Sequence, residues 1–134
     1  MYSYLKKILS QHIKVDDILF QEFTIQMTVK RLKKKEIWQH EGQVSLQMAF
    51  LNSGAMKECY SKNGTEYVNE FMLPGEFIGN YISYQQQIPS QTYSEATESC
   101  ELLTIGFSRF EKLALNNPDI AQVSQIVGQQ NYID

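Results

Sequence analysis

Residues 46–72 read LQMAFLNSGAMKECYSKNGTEYVNEFM. Leu46 to Leu51 is an apolar strand, Ser53-Gly54 is a turn signal, and Ala55 to Tyr60 continues as a second strand. Lys62-Asn63-Gly64-Thr65 then marks a tight hairpin, because Asn-Gly tolerates the positive φ of a type I′ turn, and Tyr67 to Met72 returns as the third strand. Three short strands closed by turn residues in 27 positions set the class as mainly β.

The same texture extends outward on both sides. Upstream, Val29, Lys30, Arg31, Leu32 and Lys33 alternate, Glu36, Ile37 and Trp38 follow, and Glu41-Gly42 breaks the run. Downstream, Pro74-Gly75 is a break, and Tyr93 to Thr97 and Leu102 to Phe107 read as two more strands around a turn at Glu98-Ser99. Helices flank this zone. Tyr4, Leu5, Ile8 and Leu9 recur at helical spacing, and Asp16 or Asp17 can cap a second short helix carrying Ile18, Leu19 and Phe23. At the other end Ser108-Arg109-Phe110-Glu111 matches a capping box, and Asn117-Pro118 starts a last helix. The chain therefore reads as one domain over 1–134: helices over 1–27, a β-roll over 28–107 and helices again over 108–134. The expected architecture is a double-stranded β-helix, or jelly roll, with flanking helices.

The last helix carries Ile120, Val123, Ile126, Val127 and Ile133. Ile120 to Val127 and Ile126 to Ile133 are each seven apart, which suits a face that pairs with a twin helix in a homodimer. Gly128 inside it weakens the helix by about 1 kcal/mol.

With 134 residues, 43% hydrophobic and 20% charged, the chain has the composition of one folded domain. Its net charge of −3 argues against nucleic-acid binding by bulk charge. No long apolar run marks a signal peptide or a membrane span, so a cytoplasmic location without membrane contact is expected. Cys59 and Cys100 have no CxxC or zinc spacing and read as buried thiols in a reducing compartment. The cluster Lys30, Arg31, Lys33, Lys34, Lys35 reads as a solvated sheet edge, since it lacks the interleaved aromatics of a base platform. His12 and His40 are the only histidines, too few for the metal site of a jelly-roll metalloenzyme, and His40-Glu41 alone cannot supply one. Ser53 lacks the context of a nucleophile. Trp38, Tyr60, Tyr67 and Tyr93 read as core or sheet-face residues. No catalytic constellation or cofactor motif is present, and the chain is not read as an enzyme.

Several phrases in fixed order carry a resemblance. They are Lys35-Glu36-Ile37 leading to Glu41-Gly42, Leu51-Asn52-Ser53-Gly54, Asn63-Gly64, Pro74-Gly75-Glu76-Phe77-Ile78-Gly79, and Ala96 followed by Cys100-Glu101-Leu102-Leu103-Thr104-Ile105. Together they resemble the cyclic-nucleotide-binding sensor domain of Crp/Fnr transcription regulators over nearly the whole chain. Pro89-Ser90 and Glu101-Leu102-Leu103 most resemble the Bacteroidetes branch.

The resemblance implies a ligand site. In that family a phosphate-binding cassette opens with glycine and glutamate. Eleven positions after the glycine stands an arginine that pairs with the cyclic phosphate, followed by a small hydroxyl residue and an alanine. Here Gly79 matches the glycine, but Asn80 stands for the glutamate and Ser90 for the arginine, with Gln91 and Thr92 after it. Tyr81 completes the opening of the segment, and no Lys or Arg lies between Lys62 and Arg109. Loss of the paired cation typically costs several kcal/mol, or more than about a hundredfold in affinity. Backbone amides could still hold an anion. The expectation is a degenerate cassette at Gly79, Asn80, Tyr81, Ser90, Gln91 and Thr92 that does not take cyclic AMP in the usual way and serves an unidentified small-molecule effector. Contact with DNA is expected only through a helix-turn-helix outside these residues. The alternative is a ligand-free β-roll used for protein interaction.

Overall fold

The computed structural model describes residues 1–123. Two helices come first, α1 (Ser3–Ser10) and α2 (Asp17–Thr24). Eight strands follow: β1 (Thr28–Leu32), β2 (Ile37–Gln39), β3 (Gln47–Ser53), β4 (Met56–Lys62), β5 (Thr65–Met72), β6 (Phe77–Ile78), β7 (Tyr93–Ala96) and β8 (Cys100–Gly106). A short helix, α3 (Tyr81–Gln86), interrupts them between β6 and β7, and α4 (Phe107–Asn116) follows β8. The strands form two antiparallel four-stranded sheets of order β1-β8-β3-β6 and β2-β7-β4-β5. This is the jelly roll expected from the turn spacing.

The first sheet is the middle layer. β3 and β8 are buried on both faces, which is why Met48 to Leu51 is a continuous apolar run and Leu102, Leu103 and Ile105 are broken only by the buried Thr104. Ala49, Leu51 and Leu102 face the second sheet and pack with Met56, Met72, Ile78 and Ala96. Met48, Phe50, Leu103 and Ile105 face the other way and pack with Leu5 and Leu9 of α1, Phe23 of α2, and Phe107 and Phe110 of α4. The helices thus cover the face of the middle sheet that the second sheet leaves bare.

Local signals explain most boundaries. Asp16 is the residue that caps α2, its carboxylate accepting from the Leu19 amide at 2.8 Å. Asn63 (φ 53°) and Gly64 (φ 78°) take the two left-handed positions of the β4–β5 turn. Lys30 and Arg31 lie exposed on β1, an edge strand, so the charges do protect a sheet edge. Tyr60 and Tyr67 stack across the β4–β5 hairpin at 5.3 Å.

Three expectations are corrected. The capping box at Ser108 and Glu111 does not form: α4 starts two residues earlier than that box requires, at Phe107, with Gly106 before it and no side-chain cap. Glu111 instead accepts the Tyr84 hydroxyl of α3 at 2.6 Å. Ile120 and Val123 do not line a free dimer face. Both are buried in the cluster that holds Leu5, Phe23 and Phe110, so this chain's own core takes them. Finally α3 occupies part of the cassette segment, to which the sequence reading assigns no helix. Residues 118–123 are helical after Pro118, as expected, while Ile126, Val127 and Ile133 lie outside the described residues.

Cys59 and Cys100 are both buried and unpaired. Burial is the main cause that raises each thiol above its ordinary value, and the nearby Glu66 carboxylate adds to it at Cys59. Burial, with the hydrogen bond it donates to Glu66, raises the Tyr93 phenol as well. Groups that hold their protons more tightly when folded support the fold below their unfolded values, and that support is lost as pH rises past them. The melting temperature is therefore expected to be level from neutral pH to about pH 9 and to fall above it. Alkylation of both thiols by iodoacetamide at pH 8, followed by mass spectrometry, should be slow until denaturant is added. Rapid alkylation of the native protein would contradict this burial.

Candidate ligand cavity

The loop from β6 to α3 is held from within. Gly79 has φ +144°, a region that disfavours any side chain. A Cβ there would lie 3.0 Å from the Gln47 carbonyl oxygen, 3.1 Å from the Phe107 ring and 3.2 Å from Met48 Cα. Glycine is thus required by packing of the loop against β3 and α4.

Asn80 is the N-cap of α3. Its side-chain oxygen accepts from the Ser83 amide at 3.0 Å, and its own amide donates to Ser45 Oγ at 3.2 Å. Its Nδ2 donates to Ser90 Oγ at 3.4 Å. Ser90 is buried, and its hydroxyl donates to the Thr92 carbonyl at 2.9 Å. Ser83, also buried, donates to the Ile88 carbonyl at 2.6 Å and accepts from the Ser45 amide at 3.0 Å. Positions that would present a carboxylate and a guanidinium to a ligand therefore bond to each other and to their own backbone. Two amides of the loop, those of Asn80 and Ser83, already have partners in this chain.

This loop and the inner face of the second sheet enclose a cavity of about 570 Å³. Gly79, Asn80, Ser90, Gln91 and Thr92 line it. Tyr81 does not. Its ring packs 5.5 Å from Phe107 and 6.2 Å from Tyr84, on the helix side of the loop. Facing the loop across the cavity are Trp38, Glu58, Glu70 and Ser94 of the second sheet. Ser45 and Ser83, the hidden polar support, and Trp38, Glu58 and Glu70, the far wall, were not read as site residues from the sequence.

Among the described residues the lining holds no Lys, Arg or His, but three carboxylates, Glu58, Glu70 and Glu76. Glu76 braces its own turn by accepting from the Leu73 amide at 3.2 Å. Glu58 and Glu70 sit directly opposite each other on β4 and β5. At an effective dielectric of about 20, an anion brought to roughly 7 Å from one carboxylate is repelled by about 2 kcal/mol. Among the described residues no group of three or more His, Cys, Asp or Glu could hold a metal ion, and no helix is long and apolar enough to cross a membrane.

Residues 29–117, which contain all of the β-roll but its first residue and the whole of α4, match the cyclic nucleotide-binding domain family. The chain belongs to that family. The domain shares its fold with a cyclic nucleotide-binding domain from Methylobacillus flagellatus KT, with a TM-score of 0.80 at 13% identity over 97% of this chain and 75% of the other. It is similar to the sensor domain of the transcriptional regulator DNR from Pseudomonas aeruginosa, with a TM-score of 0.76 at 13% identity over 99% and 93% of the two chains. It is also similar to the catabolite activator protein of Thermus thermophilus, with a TM-score of 0.75 at 14% identity, covering 92% of this chain and 57% of that one. No curated protein gives a significant match to the sequence. These likenesses place the domain in its family and fold, and in no single branch of them.

Proposed function

We propose that the domain is the effector-sensing part of a Crp/Fnr-type transcription regulator, acting in the cytoplasm, with its ligand in the cavity between the cassette loop and the second sheet. One observation carries the reading: α3 touches both the cavity and the C-terminal helices. At its N-terminal end Asn80 lines the cavity. One turn on, Tyr84 stacks on Phe107 at 5.0 Å and donates to Glu111, both in α4. A ligand that moves Asn80 or Ser83 must shift this aromatic stack or strain it, and α4 leads into the last helix. DNA reading would fall to a helix-turn-helix outside these residues. A homodimer through the last helix stays part of the proposal, but its face then excludes Ile120 and Val123 and rests on Ile126, Val127 and Ile133.

The cassette is read as degenerate toward cyclic nucleotides, because Asn80 and Ser90 are bonded inward and the far wall is acidic. The test is a thermal-shift panel with cyclic AMP, cyclic GMP and a set of metabolites, with amide exchange followed in 79–92 and 107–116. Cyclic AMP and cyclic GMP at about 1 mM are expected to leave the melting temperature unchanged. An effector is expected to raise it, since a ligand at a hundred times its Kd adds about 2.7 kcal/mol of stability. It should also slow exchange in both segments. Stabilisation by micromolar cyclic AMP would overturn the degenerate cassette. A ligand whose protection stops short of 107–116 would overturn the relay.

A second reading, a ligand-free interaction module, is favoured by exposed apolar side chains along and just after β5, those of Val68, Phe71 and Leu73. Stabilisation by any small molecule in the panel decides against it.

A further inference from the structure

Five of the chain's 12 lysines and arginines fall within residues 30–35, and only two of them lie on a strand. Lys30 and Arg31 guard the edge of β1, and Arg31 is held 3.3 Å from Glu101. Lys33, Lys34 and Lys35 lie past the end of that strand, in the turn to β2, so edge protection does not account for them. All three are exposed, and among the described residues their side chains form no ion pair. The turn that presents them is fixed at both ends. The Glu36 amide donates to the Lys33 carbonyl at 3.0 Å and closes it, while the Glu36 carboxylate accepts from the Lys33 amide at 3.0 Å. Two more bonds tie it to β7: the Lys35 amide donates to the Ala96 carbonyl at 2.7 Å, and the Ala96 amide donates to the Glu36 carbonyl at 2.9 Å.

Lys35 takes φ +76° at the third position of this turn. A positive φ there suits glycine or asparagine and strains other residues. The chain thus carries a lysine where the backbone favours glycine, and strain of this kind marks function rather than stability. The surroundings say what the lysines meet. Opposing carboxylates are Glu36 in the turn, Glu98 in the adjoining turn from β7 to β8, and Glu101 on Arg31, which leaves positive charge in excess. No large hydrophobic side chain is exposed in the turn, in the strands it joins or in the β7–β8 turn beside it. Protein interfaces have an apolar centre, and this patch has none. Contacts to phosphate need only positioned cations.

We propose that the turn formed by Lys33, Lys34 and Lys35 rests on the phosphate backbone of duplex DNA, as a contact additional to the helix-turn-helix and independent of sequence. This rests on reading the domain as the sensor of a transcription regulator, which sets it beside DNA. The contact adds affinity and orientation and carries no sequence information. The chain's net charge of −3 confines it to this one patch.

The test is fluorescence anisotropy of a labelled duplex of about 20 base pairs with the intact protein, from about 20 to 200 mM salt. Three phosphate contacts predict a slope of about −2.7 for log K against log salt, at about −0.9 per contact. Lys35→Gly is expected to hold or raise the melting temperature, because it relieves the strained φ, and to bring the slope about 0.9 closer to zero. Lys33→Gln combined with Lys34→Gln is expected to bring it about 1.8 closer. Two duplexes of unrelated sequence are expected to bind alike, and poly-glutamate at equal total charge at least about tenfold more weakly, since its charge is less dense. A duplex that fails to bind at the lowest salt, or that binds the variants as it binds the unaltered protein, overturns the contact. The effector reading then still stands or falls on the ligand panel. Poly-glutamate binding as tightly as DNA overturns DNA as the partner, and a preference between the two duplexes overturns a backbone contact.

Discussion

Replacing Phe107 with alanine is expected to lower stability by about 3–5 kcal/mol, the usual range for removing a fully buried phenylalanine. For a domain of this size that is a fall of roughly 10–20 °C in melting temperature. Phe107 is 1% exposed and stands at the junction of three layers. It directly follows β8, begins α4, and packs with Tyr84 at 5.0 Å and Tyr81 at 5.5 Å. Removing it leaves the aromatic face of α3 with no partner on α4, and the void cannot close because Gly79 and β3 hold the other side. Phe107→Leu keeps most of the volume and loses the ring stacking, so about 1–2 kcal/mol is expected. Denaturant midpoints for the two variants check the order. A Phe107→Ala loss under about 1 kcal/mol would mean that the stack does not hold the cassette to α4, and the proposed relay would lose its physical basis.

How much of this was legible in the sequence depends on whether the information is local. The Asn63-Gly64 turn is specified by two residues, and the strands on either side of it followed. The layer order was not read from the sequence, although the continuous apolar run Met48 to Leu51 of β3 marks a strand covered on both faces. α3 was not. Its sequence, Tyr81 to Gln86, has no charge and only one strong helical feature, the spacing of Tyr81 and Tyr84. That helix is held by tertiary contact with Phe107 and by the Asn80 cap. Asn80 was read as a failed ligand contact, but three residues before Ser83 it is also a helix cap, and that signal was available.

The cavity divides the same way. The cassette positions lie within a dozen residues of each other, and the resemblance to the family's cassette located Gly79, Asn80 and Ser90. Trp38, Glu58 and Glu70 lie on three different strands and meet only through sheet register and two bulges, which no local pattern encodes. Ile120 and Val123 show the opposite error. Heptad spacing reports that a helix has an apolar face, and says nothing of whether the face meets a twin or the chain's own β-roll. Burial decides between these, and it assigns both residues to the core.

Gly79→Ala is expected to cost about 2–4 kcal/mol, from two separable sources. One is backbone strain, since φ +144° is a region open in practice to glycine and worth about 1–3 kcal/mol for any other residue. The other is crowding, because the new Cβ falls 3.0–3.2 Å from the Gln47 carbonyl, the Phe107 ring and Met48 Cα, two of which are backbone and cannot rotate away. Gly42 supplies the control. It too has positive φ, +85°, but a Cβ there meets nothing within 4 Å, so Gly42→Ala should show the strain alone, at about 1 kcal/mol. The excess of Gly79→Ala over Gly42→Ala then contains the crowding together with the greater strain of φ +144°. Part of that excess should vanish when Phe107 is also alanine, because one of the three contacts is gone. The double variant is expected to lose about 1 kcal/mol less than the sum of the two single losses. Full additivity would show that the loop yields elsewhere, and that Gly79 is held for the ligand's sake rather than by the packing of the loop against α4.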